Sequence, residues 1–221
     1  MTARPRLDPT LYLVTDPDLT LGRSVVEVVA QAVRGGVTLV QLRDKKADGR
    51  LLLEQARALK ALLEPQRVPL IVNDRVDVAY AAGVGCHVGQ TDLPWQEARR
   101  LLGAEAPIGL SLDRAGQART VRSGSLDYVA FGPFATTGTK ADAGAPVGVA
   151  GIRAVRTLTT RPLVAIGGVH AGNAAAAIEA GADGVAVVSA IMAADDPERA
   201  ARALRAVIEE TRRRRQNRED A

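Results

Sequence analysis

The chain has 221 residues, of which 47% are hydrophobic and only 3% aromatic, with a formal charge of +4 and one cysteine, Cys86. This length suits one large domain, and a core so poor in aromatics must be built from Ala, Val, Leu and Ile, as parallel strands and their covering helices are. The lone cysteine excludes an intramolecular disulfide and points to a reducing compartment, the cytoplasm by default, while no run of about 18 apolar residues exists to span a membrane and the N-terminal MTARPRLDP lacks a signal peptide's apolar stretch.

Residues 11–16, LYLVTD, read as a first strand, and residues 24–35 as a helix behind a Ser24 cap, stopped by Gly35 and Gly36. TLVQLR (38–43) is the second strand and 48–63 the second helix, with Leu52, Leu53, Ala56, Leu59 and Leu63 on one side. PLIVND (69–74) precedes a short helix at 76–82, ended by Gly83; GCHVGQ (85–90) precedes a helix opened by Pro94. IGLSL (108–112) leads to a weak helix at 114–122, and residues 128–132 form the sixth strand, before a helix over about 149–158. Residues 162–166, with Gly167 and Gly168 behind them, and GVAVVS (184–189) are the last two strands. Helices follow them at 173–180 and from 197 to about 213. The basic run Arg212 to Arg215 reads as a solvated helix end opening a basic tail over about 212–221, because basic residues are not interleaved with aromatics as a nucleic-acid surface requires.

Eight strand-helix units in a row, with no linker between them, predict a single-domain α/β fold, a (β/α)8 TIM barrel spanning residues 1–221. Chemistry in this fold gathers at the C-terminal ends of the strands. Those ends carry Thr15 and Asp16, then Gln41, Arg43 and Lys45, then Asn73 and Asp74, then Gln90 to Asp92, then Ser111. Next come the loop FGPFATTGTK (131–140), the Gly167-Gly168 pair, and Val188 with Ser189. Nearly all are polar or glycine.

Gln41 and Arg43 share a strand face, since side chains alternate with period two. An interior Arg43 needs an anion, which either a protein carboxylate or a phosphate supplies. Asp74 and Asp92 end adjacent strands; oxygen ligands without clustered His or Cys fit Mg²⁺, completed by water and phosphate oxygens. The loop at 131–140 can present N–H groups, hydroxyls and the Lys140 ammonium to a phosphate-bearing ligand. Gly168, Val188 and Ser189 stand at the phosphate position usual for this fold. The rim thus reads as two sites, a metal-bound diphosphate and a monophosphate. His87 can serve as a general base, but with no paired acid in the sequence it reads as a packing residue. His170 either caps a helix or touches phosphate, Cys86 reads as a small buried hydrophobe, and Trp95 as packing. Ala- and Arg-rich helix faces single out no subunit interface.

Several motifs, in order, resemble the thiamine-phosphate synthase family: YLVTD (12–16), GVTLVQLRDK (36–45), IVNDRVDVA (71–79), HVGQTDLP (87–94), IGLS (108–111), DYVAFGPFATTGTK (127–140), LVAIGGV (163–169) and VAVVSAI (185–191). The resemblance implies a transferase for small-molecule substrates that joins a hydroxymethylpyrimidine diphosphate to a thiazole phosphate. Carried over by motif, Gln41, Leu42, Arg43, Asp44, Lys45, Asn73 and Lys140 would bind the pyrimidine diphosphate, with Ser111 at the pyrimidine. Arg43, Lys45, Ser111 and Lys140 would be catalytic, and Asp74 and Asp92 would hold Mg²⁺. Thr137, Gly138, Thr139, Gly168, Val188 and Ser189 would receive the thiazole phosphate. Ala135 stands where many members of the family carry proline, and the Gly/Ala-rich stretch 141–145 is expected to be a mobile lid. A related barrel, the thiazole tautomerase, would keep the phosphate site without needing Asp74, Asp92, Lys45 and Lys140. A non-catalytic sensor of a phosphorylated vitamin precursor would share the binding residues.

Overall fold

Eight short apolar runs become eight strands: β1 (Leu11–Val14), β2 (Leu39–Leu42), β3 (Leu70–Asn73), β4 (Gly85–Val88), β5 (Ile108–Leu112), β6 (Tyr128–Phe131), β7 (Leu163–Ile166) and β8 (Gly184–Val187). The computed structural model describes residues 7–121, 125–138 and 144–219. Each strand pairs in parallel with the next, and β8 pairs with β1, closing the barrel. The register sets Val14 beside Gln41, Asn73 beside His87, and Ser111 beside Ala130. It therefore brings polar strand ends to one rim.

The crossovers are α1 (Val25–Arg34), α2 (Gly49–Leu63), α3 (Val76–Ala82), α4 (Trp95–Leu102), a 3-10 segment (Ala115–Val121), α5 (Gly148–Arg156), α6 (Ala174–Glu179), and α7 (Ser189–Met192) with α8 (Pro197–Glu219). Ser24 caps α1 in a reciprocal capping box with Glu27, and Asp48 caps α2 through the Leu51 N–H. Alternation along the strands divides the apolar side chains into two clusters. Leu11, Leu13, Val40, Leu42, Val72 and their neighbours face the helices. Tyr12, Val14, Leu39, Ile71, Tyr128, Ala130, Val164 and Ala186 fill the barrel.

The N-terminal rim is closed by two similar clamps. Arg99 of α4 meets Asp127 at 2.7 Å, and the same carboxylate oxygen accepts the Ile108 N–H at the start of β5. Arg156 of α5 meets Asp183 at 2.8 Å, and that oxygen accepts the Leu163 N–H at the start of β7. Each aspartate thus ties a helix end to the first residue of the neighbouring strand.

Three features differ from the sequence expectation. The weak helix is a 3-10 segment, the four-residue α7 stands where the chain leaves β8, and α8 continues to Glu219. The extension of α8 is held by pairs one turn apart, Arg213 and Arg214 with Glu210. The basic run is not wholly solvated either: Arg212 donates to Thr10 Oγ1 at 2.6 Å and to the Asp183 carbonyl, and Arg215 to the Ile178 carbonyl at 3.1 Å. Two of its arginines are anchors for the barrel base.

Candidate active site at the C-terminal rim

The β1 and β2 ends are locked together by Thr15, whose hydroxyl accepts the Arg43 N–H at 2.9 Å and donates to the Arg43 carbonyl at 3.1 Å. This aims Arg43 at Asp16, 3.6 Å away, so the anion beside Arg43 is a protein carboxylate. Both side chains keep 15–19% exposure at the mouth, which leaves the guanidinium reachable by a second anion. Asp16 itself is fixed by accepting the Asp18 N–H.

Asn73 and Asp74 leave β3 through an unusual backbone. Asp74 has φ 61°, a left-handed conformation that non-glycine residues seldom adopt and that clusters at functional sites. Its N–H is held by the His87 carbonyl at 2.8 Å. Asp92 is fixed by the Gly89 N–H at 2.7 Å. The Asp74 and Asp92 carboxyls come within hydrogen-bonding reach of each other. Burial, and then the bond to Asp92 and its charge, push Asp74 from its ordinary value up to about 6, while the exposed Lys45 and the Asn73 amide pull the other way. Two carboxylates with an ammonium beside them form a site short of positive charge. Among the described residues no group of three or more His, Cys, Asp or Glu gathers, so the pair lacks a third such ligand.

On β5, Ser111 Oγ lies 2.9 Å from His87 Nε2, and its carbonyl accepts from the Gln90 amide at 2.6 Å. His87 is pushed down to about 4 by burial, so its ring is neutral. Cys86 is fully buried, and burial raises its thiol to about 12, which leaves it inert.

The loop after β6 is sewn onto the end of β7. Phe134 N–H donates to the Ile166 carbonyl at 2.8 Å and Ala135 N–H to the Gly167 carbonyl at 2.9 Å. Gly168, at φ 66°, makes that seam possible: a Cβ there would sit 2.5 Å from the Thr136 carbonyl oxygen and 2.6 Å from that of Ala135. Thr137, half-buried, and Gly138, exposed, continue the loop beside it. Asn173 donates to the Gly168 carbonyl at 2.8 Å, while His170 Nδ1 accepts the Gly172 N–H at 3.1 Å in the turn that leads to α6. Across the seam α7 begins at the exposed Ser189, with Val188 as its cap residue. Thr139, Lys140 and residues 141–143 of the expected lid lie outside the described residues.

Three of the expected site side chains are otherwise engaged. Leu42 is turned into the layer between sheet and helices, so only its backbone faces the rim. Asp44 accepts the Lys46 and Ala47 N–H groups and shapes its own loop. Gln41, 4% exposed, donates its amide to the Tyr12 hydroxyl. Sequence reasoning missed Asp16 as the partner of Arg43, and it missed Tyr12 and Tyr128, which meet only once the barrel closes. The signal available for the tyrosines was their number: the chain has three, and two are placed at inward strand positions.

A closed barrel with Arg43, Lys45, Asp74 and Asp92 gathered at its C-terminal rim defines an enzyme of the (β/α)8 class. The family model for thiamine monophosphate synthase matches residues 11–191, and the chain belongs to that family. It is 52% identical over 207 residues to a thiamine-phosphate synthase of Azorhizobium caulinodans, covering 93% of this chain and 98% of the relative. It is 54% identical over 202 residues to one of Xanthobacter autotrophicus, covering 91% and 96%. Among solved structures, a thiamine phosphate pyrophosphorylase from Pyrococcus furiosus superposes with a TM-score of 0.84 at 34% identity, covering 93% of this chain and 98% of that one.

Proposed function

We propose that the chain is a thiamine-phosphate synthase. It joins 4-amino-2-methyl-5-(diphosphooxymethyl)pyrimidine to a thiazole phosphate, giving thiamine phosphate and pyrophosphate, with carbon dioxide released when the thiazole is carboxylated. The observation that carries this reading is the facing pair Asp74 and Asp92 with Lys45 beside it, at the rim of a barrel of this family. Two close carboxylates without a third suit Mg²⁺, which takes one or two carboxylates and fills its shell with water and phosphate oxygens. Bound there, Mg²⁺ would offset the negative charge of the diphosphate.

In the reaction the carbon–oxygen bond to the diphosphate breaks with both electrons leaving on pyrophosphate. The remaining pyrimidine-methyl cation is stabilised by the ring amino group, and the lone pair of the thiazole nitrogen closes the new carbon–nitrogen bond. Arg43, Lys45 and Lys140 hold the departing pyrophosphate, a purely electrostatic task in which fixed positive groups stabilise developing charge. Asp16 keeps Arg43 aimed before substrate arrives. Asn73 binds beside the diphosphate and Ser111 at the pyrimidine. Thr137, Gly138, Thr139, Gly168, Val188 and Ser189 receive the thiazole phosphate, where glycine lets backbone approach the anion and α7 begins. The chemistry asks for no nucleophilic side chain, and the buried Cys86 supplies none. A free cysteine supports a reducing compartment, and we place the reaction in the cytoplasm.

The thiazole tautomerase reading has no use for the carboxylate pair, so the pair discriminates. Asp92→Asn is expected to lower Mg²⁺-dependent turnover at least tenfold, about 1.4 kcal/mol in the barrier. Titration of activity against Mg²⁺ checks it; unchanged turnover with unchanged metal dependence contradicts the role given to Asp92.

A further inference from the structure

A continuous series of hydrogen bonds crosses the barrel interior beneath the rim. Gln41 Nε2 donates to Tyr12 Oη, which lies 2.8 Å from Tyr128 Oη. Tyr128 Oη lies 2.8 Å from His87 Nδ1, and His87 Nε2 lies 2.9 Å from Ser111 Oγ. The series links β2, β1, β6, β4 and β5, and every member but Ser111 is at most 6% exposed. Tyr12 meets Tyr128 edge to face at 5.7 Å, and His87 stacks on Tyr128 at 5.5 Å. Gly109 makes room for it, since a Cβ there would overlap the Tyr128 ring and hydroxyl.

The direction of the series follows from counting protons. The Gln41 amide is oriented with Nε2 toward Tyr12, and in that orientation it donates, so Tyr12 Oη accepts from Gln41. The single Tyr12 proton then goes to Tyr128 Oη, and the Tyr128 proton to His87 Nδ1. Reversing the first step would leave the buried Tyr12 proton, and reversing the second the buried Tyr128 proton, with no acceptor among the bonds of the series, an arrangement that folded proteins avoid. A neutral imidazole that accepts at Nδ1 carries its proton on Nε2 and donates it to Ser111 Oγ. The Ser111 proton is thereby left for the mouth of the site.

We propose that Tyr12, Tyr128 and His87 are positioning residues: they lock His87 in the Nε2–H tautomer and so present the Ser111 hydroxyl as a hydrogen-bond donor to a ring-nitrogen acceptor of the pyrimidine diphosphate. This rests on the reading that Ser111 faces the pyrimidine. The relay acts on recognition of the heterocycle. It leaves the thiazole phosphate untouched.

The chain has two histidines, so His170→Gln leaves His87 as the only imidazole signal in ¹⁵N-histidine spectra of the full chain. The expected spectrum at neutral pH shows Nδ1 unprotonated and Nε2 protonated; a protonated Nδ1 overturns the proposal. Tyr128→Phe is expected to mix the tautomers and lower kcat/KM for the pyrimidine diphosphate about tenfold, with the KM for thiazole phosphate unchanged. Tyr12→Phe, which leaves the Tyr128 hydroxyl in place, should fall in the same direction by less. Unchanged kinetics in both variants, or an equal loss toward both substrates, overturns the positioning role. Replacing each ring nitrogen of the pyrimidine diphosphate by C–H in turn should penalise the unmodified chain more than Tyr128→Phe for one of the two; equal penalties for both also contradict the proposal. If instead Ser111→Ala leaves pyrimidine diphosphate kinetics unchanged, the placement of Ser111 fails, while the tautomer result stands or falls separately.

Discussion

Asp74 carries two penalties, a left-handed backbone and a carboxylate neighbour. Its carboxyl is raised to about 6, above its value in an unfolded chain. Between about pH 4 and 6 the folded protein holds a proton that the unfolded chain has released, so without a cation stability falls as pH rises through that window. The destabilisation is complete above it. Asp74→Asn removes the charge and suits the backbone, because asparagine tolerates φ near +60°. In EDTA at pH 7.5 this variant should melt higher by roughly 2 °C, with no gain near pH 4, while turnover drops at least tenfold. Thermal scans at the two pH values and a turnover assay check it; a lower Tm at pH 7.5 would mean that the pair is stabilising as it stands. That Asp74 and Asp92 face one another was legible in the sequence, since both follow adjacent strands. The pairing of Arg43 with Asp16 was left open there, because a strand pattern shows which side chain needs an anion but not which anion is nearest.

At the scale of elements, the seam between the β6 loop and Gly168 ties the proposed phosphate site to the barrel. Gly168→Ala puts a Cβ against the Thr136 and Ala135 carbonyls at a positive φ, so the loop must lift. We expect a loss of about 2 kcal/mol in stability and a KM for thiazole phosphate raised about tenfold, with the KM for the pyrimidine diphosphate little changed. Denaturant unfolding and steady-state kinetics check both; a wild-type thiazole phosphate KM would remove the seam from the site. The strands were readable because each is an apolar run between glycine, proline or polar residues. The expected strands at 38–43 and 184–189 overrun the observed ones at their C-terminal ends by Arg43 and by Val188 and Ser189, residues that leave the ladder to reach the mouth. The four residues of α7 were hidden because a stretch so short does not declare its period.

Across the whole molecule, closure of the barrel decides what local pattern could not. The series from Gln41 to Ser111 joins five strands whose residues lie as far as 116 positions apart, and its two central bonds, Tyr12 to Tyr128 and Tyr128 to His87, cross the barrel between strands that are not neighbours. Arg212, read from sequence as part of a solvated end, docks on Thr10 because α8 packs back along the first strand. The base and the rim serve separate ends. Asp127→Ala strips the clamp from Arg99 and the Ile108 N–H, and should cost about 3 kcal/mol, roughly 6–12 °C in Tm, while the kinetic constants of the folded enzyme stay within twofold. A large kinetic loss at temperatures where the variant is folded would show that the base communicates with the rim.

The assignment of the rim to two phosphorylated substrates meets its most direct test in the reaction itself. Purified protein is incubated with the pyrimidine diphosphate, thiazole phosphate and Mg²⁺, and thiamine phosphate and pyrophosphate are quantified together. The expected result is equal amounts of both products, requiring both substrates and abolished by EDTA. No thiamine phosphate under conditions where another synthase of the family forms it, or isomerisation of the thiazole phosphate alone, would contradict the account.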